Sequence, residues 1–261
     1  MRNRIYLLLA ICTFYFVGIQ AQTVGDAIPN NLDKPDIIKF NLSGAAFGNY
    51  TLQYEHVLNV KQSVGMSISF APGMDLPFKN TLVNIFDGND QAITAINSTE
   101  LNSFSITPEY RFYSQVKGAP FGVYGATFIR YTHMTHRQIY TFDLSDGEHH
   151  PDIETSFNGV GVGEMLGVQW KLGNSMTLDW WILGPFVGYQ TGKSHGDDDR
   201  PITPEDKVKL ENDIESVPIP GWNIDATVTD HPTTGLGVVD ADLSGLFLGA
   251  RVFGICLGYR F

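Results

Sequence analysis

The chain has 261 residues, with 27 glycines, 12% aromatic residues, 17% charged residues and a formal net charge of −11. An acidic balance argues against nucleic acid as a partner and against docking on anionic lipid by charge. The length suits one large all-β domain, and after the N-terminal stretch no segment approaches the ~18 consecutive apolar residues of a spanning helix.

The N-terminus reads as an export signal. Arg2 and Arg4 precede an apolar run from Ile5 to Val17, and Ile19 and Ala21 sit at −3 and −1 of an expected cleavage before Gln22. Ile11 stands before Cys12 where a lipoprotein signal needs a small residue, so lipidation is not expected. Cleavage of residues 1–21 leaves Cys256 as the single cysteine, without an intramolecular disulfide. Residues 22–35 are read as a periplasmic segment and 36–261 as one domain.

Within that domain, eight segments alternate with period two. Ile38, Phe40 and Leu42 alternate with Lys39, Asn41 and Ser43; Tyr50, Leu52 and Tyr54 with Thr51, Gln53 and Glu55. Val64, Met66, Ile68 and Phe70 are set against serines and Gly65, and Phe104, Ile106, Tyr110 and Phe112 against Ser105, Thr107, Glu109 and Arg111. Further segments cover about 121–133 (extending toward Tyr140), 156–171, 176–190 and 245–261. This is the signature of an eight-stranded antiparallel transmembrane β-barrel of the outer-membrane type. Tyr50, Tyr54, Tyr110, Tyr131, Trp170, Trp180 and Tyr259 fall near segment ends, as interfacial girdle residues should. A soluble sandwich also alternates, but would not need so many aromatics at strand ends.

Link lengths point the same way. Short links alternate with long ones at about 71–101, 141–155 and 191–244, as periplasmic turns alternate with external loops. The link at Gly44–Asn49 is short where a long one is allowed. The last strand carries Phe253, Ile255, Leu257, Tyr259 and the terminal Phe261 on one face, and Val252, Gly254, Cys256, Gly258 and Arg260 on the other. It must pair with the first strand to leave no open edge in lipid.

The stretches "KPDIIKFNLSGAAFGNYTLQYEHVLNVKQSVG", "PEYRFY", "LDWWILGP" and "LGYRF" resemble a family of small outer-membrane β-barrel proteins of Bacteroidetes-type bacteria. They are more distantly similar to the outer-membrane protein A and X barrels. The resemblance spans most of 36–261 and is weakest in the long loops. It implies an eight-stranded barrel in the outer membrane, contact with outer-membrane lipid and lipopolysaccharide, and a C-terminal strand read by the barrel assembly machinery. It transfers no active-site residue.

The interior of so small a barrel is filled by side chains. The inward set predicted by alternation includes Lys39, Glu55, Glu109, Arg111, Arg130, Asp179 and Arg260, which must pair as a charge network. Glu164 and Arg251 fall in the outward phase. A bulge in the Gly159–Gly163 run would turn Glu164 inward, and snorkelling near an interface would relieve Arg251.

The loops hold carboxylates and histidines at Asp146, Glu148, His149, His150 and Asp152, and at His195 and Asp197–Asp199, without a recognised ligand spacing. No metal or cofactor is expected. Thr203 and Pro204 open a short helix over about 204–216. The functional expectation is a non-enzymatic surface protein serving envelope integrity, adhesion or ligand interaction through its loops. The alternatives are a lipid A deacylase- or acyltransferase-like enzyme using His133 and His136 at the outer rim and, third, a narrow channel.

Overall fold

A computed structural model describes residues 33–74, 100–114, 117–216 and 221–261. The expected signal peptide, residues 22–32 and the stretch 75–99 lie outside the described residues.

Strands β1 (Asp36–Asn41), β2 (Tyr50–Asn59), β3 (Gln62–Met74), β4 (Glu100–Tyr113), β5 (Gly122–Ile139), β8 (Asp152–Leu172), β9 (Met176–Asp197) and β11 (Gly237–Arg260) form one antiparallel sheet in that order. β11 also pairs with β1, Ile37 opposite Arg260 and Asn41 opposite Cys256, so the sheet closes into a ring of eight strands. The described termini lie at one end of the ring, here the terminal end. At the opposite, capped end are the hairpin β6 (Phe142–Leu144) and β7 (Gly147–His149), a helix, and β10 (Trp222–Asp230), which extends the sheet beyond β11.

The wall is uneven because β1 has 6 residues while β9 has 22 and β11 has 24. The long strands run into stretches expected to be loops: 141–155 contains the hairpin and the start of β8, and 191–244 contains strand, helix and β10. The first alternating segment also stops early. Asn41 accepts from Gly44 N at 2.9 Å and caps a short helix α1 (Leu42–Ala46) where a continuing strand was expected.

That helix supports a fault in the wall. Pairing of β9 with β11 skips Ile182 and Phe253, which lie side by side, and Phe253 adopts φ 52°. Ser43 of α1 meets the break: its hydroxyl accepts from Ile255 N at 2.9 Å and lies 2.9 Å from Phe253 O. Each of the two strands carries one unpaired residue at the break, so their mutual register is kept while the inward phase of both reverses. Arg251 faces inward before the bulge and Gly254, Cys256 and Arg260 after it, while Val252, expected on the inner face, is 45% exposed. Arg251 therefore corrects its outward assignment. Glu164 does not turn, since the register shift between β8 and β9 puts its extra residue, Ile182, on β9 and leaves the alternation of β8 unbroken. It stays in the outward row with Thr127, whose hydroxyl donates to it at 2.9 Å.

The helix expected at about 204–216 spans Pro204–Glu215, here α2, with Thr203 as its N-cap. It lies along β10, the strand with an open edge. Glu211 Oε1 accepts from Val228 N at 2.8 Å, and Glu215 Oε1 from Ala226 N at 3.2 Å. Carboxylates one helical turn apart thus match backbone N–H groups two residues apart, and the edge is blunted. Leu210, Ile202, Ile153, Val228 and Val239 form a small apolar core beneath α2, with Phe142 and Leu144 of the hairpin packed against it.

Candidate functional site

Outward-facing residues change character along individual strands. Tyr131, Val160, Tyr189 and Leu246 form one register row across β5, β8, β9 and β11, and each is exposed. The next outward row toward the capped end is His133, Asn158, Thr191 and Ser244. Below that boundary β11 exposes Leu246, Leu248 and Val252; above it, β11 exposes Asp240 and Asp242 and buries Val239 and Ala241. The alternation inverts within one strand, as it must if the solvent around the strand changes. The apolar belt ends in aromatics at both sides: Tyr131 and Tyr189 at the boundary, and Trp170 stacked on Trp180 and Tyr259 on Phe261 toward the terminal end.

The interior of the terminal half is ionic. Lys39 donates to Asp179 at 2.7 Å and to Gln169 at 2.6 Å, and is ion-paired with Glu55. Arg111 joins three acids: Asp179 at 2.7 Å, Glu109 at 2.5 Å and Glu55 at 3.4 Å. Tyr113 donates to Glu55 at 2.6 Å and Tyr124 to Asp179 at 2.7 Å, while the Arg111 guanidinium lies 4.3 Å from the Tyr124 ring centre. Period-two spacing brings these side chains to one side of the wall, and closure of the ring makes them meet. Each acid meets more than one donor, which is what burying a carboxylate requires.

Of the seven charged residues expected inside, Lys39, Glu55, Glu109, Arg111 and Asp179 form this cluster. Arg260 is buried nearer the terminal end, donating to Lys34 O at 3.0 Å and lying over Phe121. Arg130 points inward closer to the capped end, donating to Thr107 at 3.2 Å and Ser105 at 2.8 Å. Sequence reasoning missed Arg251, whose Nη1 reaches Glu109 at 2.8 Å, because the bulge that turns it leaves no mark in an apolar Val252–Phe253 pair. Gln53 stood on the expected inward face without being counted in the network, and Gln169, Tyr113 and Tyr124 were passed over. Gln53 and Tyr113 were legible as inward positions of segments already recognised.

His133 and His136, the candidate rim pair, do not converge. Three residues apart on β5, they face opposite sides of the wall, with His133 on Asn158 at 3.0 Å and His136 on Gln138 at 2.9 Å.

The cap holds the other notable cluster. Buried His149 places Nδ1 2.5 Å from Asp198 and Nε2 2.8 Å from Asp146, linking the hairpin to the end of β9. Burial opposes the imidazolium, but the hydrogen bonds to Asp198 and Asp146 outweigh it and raise its pKa above the ordinary value. Ligand atoms of His149, Asp198 and Asp199 lie within 4.8 Å of one another. Both ring nitrogens are directed at carboxylates, so the protonated ring donates to each. Asp206 ties α2 to the hairpin by accepting from the Ser145 hydroxyl at 2.5 Å, and Lys209 donates to Asp143 O at 3.1 Å. On the outward face above the boundary, Ser156, Asn158, Lys193, Asn223, Asp225 and Asp242 line a polar cleft of ≈ 360 Å³.

No protein-family model matches the chain, and no curated protein matches it in sequence.

Proposed function

We propose that this chain is an exported, non-enzymatic outer-membrane β-barrel, whose cap and outer strand faces interact with a partner or support the envelope at the cell surface. The observation that carries this reading is the inversion of alternation at the row Tyr131–Val160–Tyr189–Leu246. Below it the ring is apolar outside and ionic inside, the reverse of a protein in water. The aromatic edges of the belt fit the two interfaces of a bilayer. In such a barrel an even strand number would put both termini on the periplasmic side and the cap outside. Closure of β1 on β11 leaves Ile255, Leu257, Tyr259 and Phe261 in the sealing strand, where an assembly signal would act.

The interior cluster fills the terminal half with tightly paired side chains and so speaks against a channel. The divergence of His133 and His136 weighs against the lipid-modifying alternative. The resemblance to Bacteroidetes-type barrels supports the same assignment. The polar cleft, just above the belt and lined by amide, hydroxyl and charged groups, is the surface best suited to a hydrophilic partner such as lipopolysaccharide sugar.

The test uses cells expressing the full chain with an epitope inserted between Thr233 and Thr234, in the exposed turn before β11. The expected result is recovery in the outer-membrane fraction, an SDS-gel mobility that changes on boiling, and epitope access on intact cells. A soluble product without a heat-dependent shift would overturn the assignment.

A further inference from the structure

Arg130 makes no ion pair among the described residues. Its two hydrogen bonds go to neutral hydroxyls, Thr107 Oγ1 and Ser105 Oγ. Its guanidinium lies 6.0 Å from the ring centre of Phe186, which packs edge-on against Phe128, the ring that Arg251 faces, so the two cations share one aromatic wall. Glu109, the acid of the cluster on the neighbouring strand β4, is already engaged. Its Oε1 accepts from Arg111 and Gln53, and its Oε2 from Arg251. Arg251 itself has a spare donor. Its Nη1 is on Glu109, but Nη2 is buried and meets no acceptor among the described residues, in a side chain only 6% exposed. The guanidinium is held in place by aromatic faces, 4.2 Å from the Trp181 ring centre and 5.1 Å from that of Phe128.

Two neighbouring cations, with one donor unsatisfied and Glu109 the one carboxylate bonded to either of them among the described residues, create a local deficit of negative charge. A guanidinium presents a planar fork of donors that matches a carboxylate or phosphate, and hydroxyls complete the coordination of such oxygens. The surrounding surfaces add a second preference. Ser105, Thr107 and Thr132 provide a hydroxyl shelf, with Ser105 and Thr132 hydrogen-bonded at 3.1 Å. Opposite, Phe247 and Phe186 lie against β8 where it carries glycine. A Cβ on Gly159 would fall 2.9 Å from Phe247 Cδ1, and one on Gly161 3.0 Å from Phe186 Cδ2. Phe186 and Phe247, packed on each other at 5.0 Å, fill the space the glycines leave and offer an apolar surface beside Arg130.

We propose that the interior between Arg130 and Arg251 is an oxyanion site, taking a carboxylate or phosphate group and accommodating an attached apolar body along Phe186 and Phe247. The same head chemistry is offered by a free ion and by an anionic amphiphile. Arg130 and Arg251 bind the charged oxygens, and Ser105 and Thr107 position the Arg130 fork. This goes beyond a role carried by the cap and the outer faces.

The full chain, refolded in a non-ionic maltoside detergent and checked for heat-dependent gel mobility, is titrated calorimetrically with inorganic phosphate, acetate, and decanoate below its micellar concentration. Saturable binding is expected, weakened at least tenfold in Arg130→Gln. Decanoate binding at least tenfold tighter than acetate assigns the site to an amphiphile head. Equal affinities, or saturable binding of phosphate alone, assign it to a free ion. If Arg130→Gln does not refold, Arg130→Lys serves instead, and weaker binding is again expected because the ammonium lacks the fork. Absence of saturable binding to any of the three by the heat-modifiable protein overturns the proposal, as does binding that the Arg130 variant leaves unchanged. Loss of the heat shift in the unaltered chain would instead count against the barrel assignment.

Discussion

Arg111 and Arg130 are both inward guanidiniums of the same ring, and their surroundings could hardly differ more. Arg111 touches Glu55, Glu109 and Asp179, with Tyr124 under its plane. Arg130 has Ser105, Thr107 and no counter-charge among the described residues. A cation enclosed by several acids is fixed by its own protein, and the region around it is structural. A cation met only by hydroxyls and, at 6.0 Å, the face of Phe186 retains the capacity to bind a charged group. The contrast separates a terminal half that closes the ring from an upper interior with unspent donors.

The sharpest way to break the comparison is Arg111→Met. It leaves Asp179 and Glu109 buried with fewer donors, and stability should fall by about 3–5 kcal/mol, read as a lower urea midpoint for loss of the fast-migrating gel form. A smaller loss, about 1–2 kcal/mol for two backbone contacts, is expected for Ser43→Ala, because Ile255 N and Phe253 O lose their partner at the bulge. Arg130→Gln should change stability by less than about 1 kcal/mol, since the hydroxyls can serve an amide and an uncompensated charge is removed. A loss as large as that of Arg111→Met would mean the two sites are alike after all.

The cap extends the comparison to pH. His149 has a folded pKa above its ordinary value of about 6.5. Its bridge to Asp198 and Asp146 is therefore at full strength below that ordinary value and is lost as pH rises through the folded one. Proteolytic cleavage within the β6–β7 hairpin should accelerate between pH 6 and pH 9. His195, hydrogen-bonded to Asp240 on the outward face, is raised too and titrates in the same direction. The effect belongs to His149 only if His149→Gln gives the high-pH cleavage rate at both values.

Much of the ring was legible because a strand's period is two and the belt demands apolar residues on one face. Five of the clustered charges, and the helix begun by Thr203–Pro204, follow from spacing and capping alone. What was not legible shares a physical origin. A one-residue slip is invisible where both candidates are apolar, as at Val252 and Phe253, so Arg251 could not be turned inward from sequence. The strand β10 escaped because its alternation is inverted. Ala226 and Val228 face in while Asn223, Asp225 and Thr227 face out, and a search for apolar outward faces discards such a segment. The helix α1 hides within "LSGAAF", whose alternation is compatible with a strand until Asn41 caps it.

The height of the wall above the belt has its own consequence. From Tyr189 to Asp197, β9 climbs roughly 26 Å at about 3.3 Å per residue, or about 20 Å vertically at a tilt of about 40°. In the proposed outer-membrane setting, the upper strands would form a pedestal lifting α2 and the hairpin through the inner sugars of the surface coat. A large binder such as an antibody or a phage fibre would then grip the elevated tip, while the flanks of the pedestal, with their polar cleft, remain among the sugars.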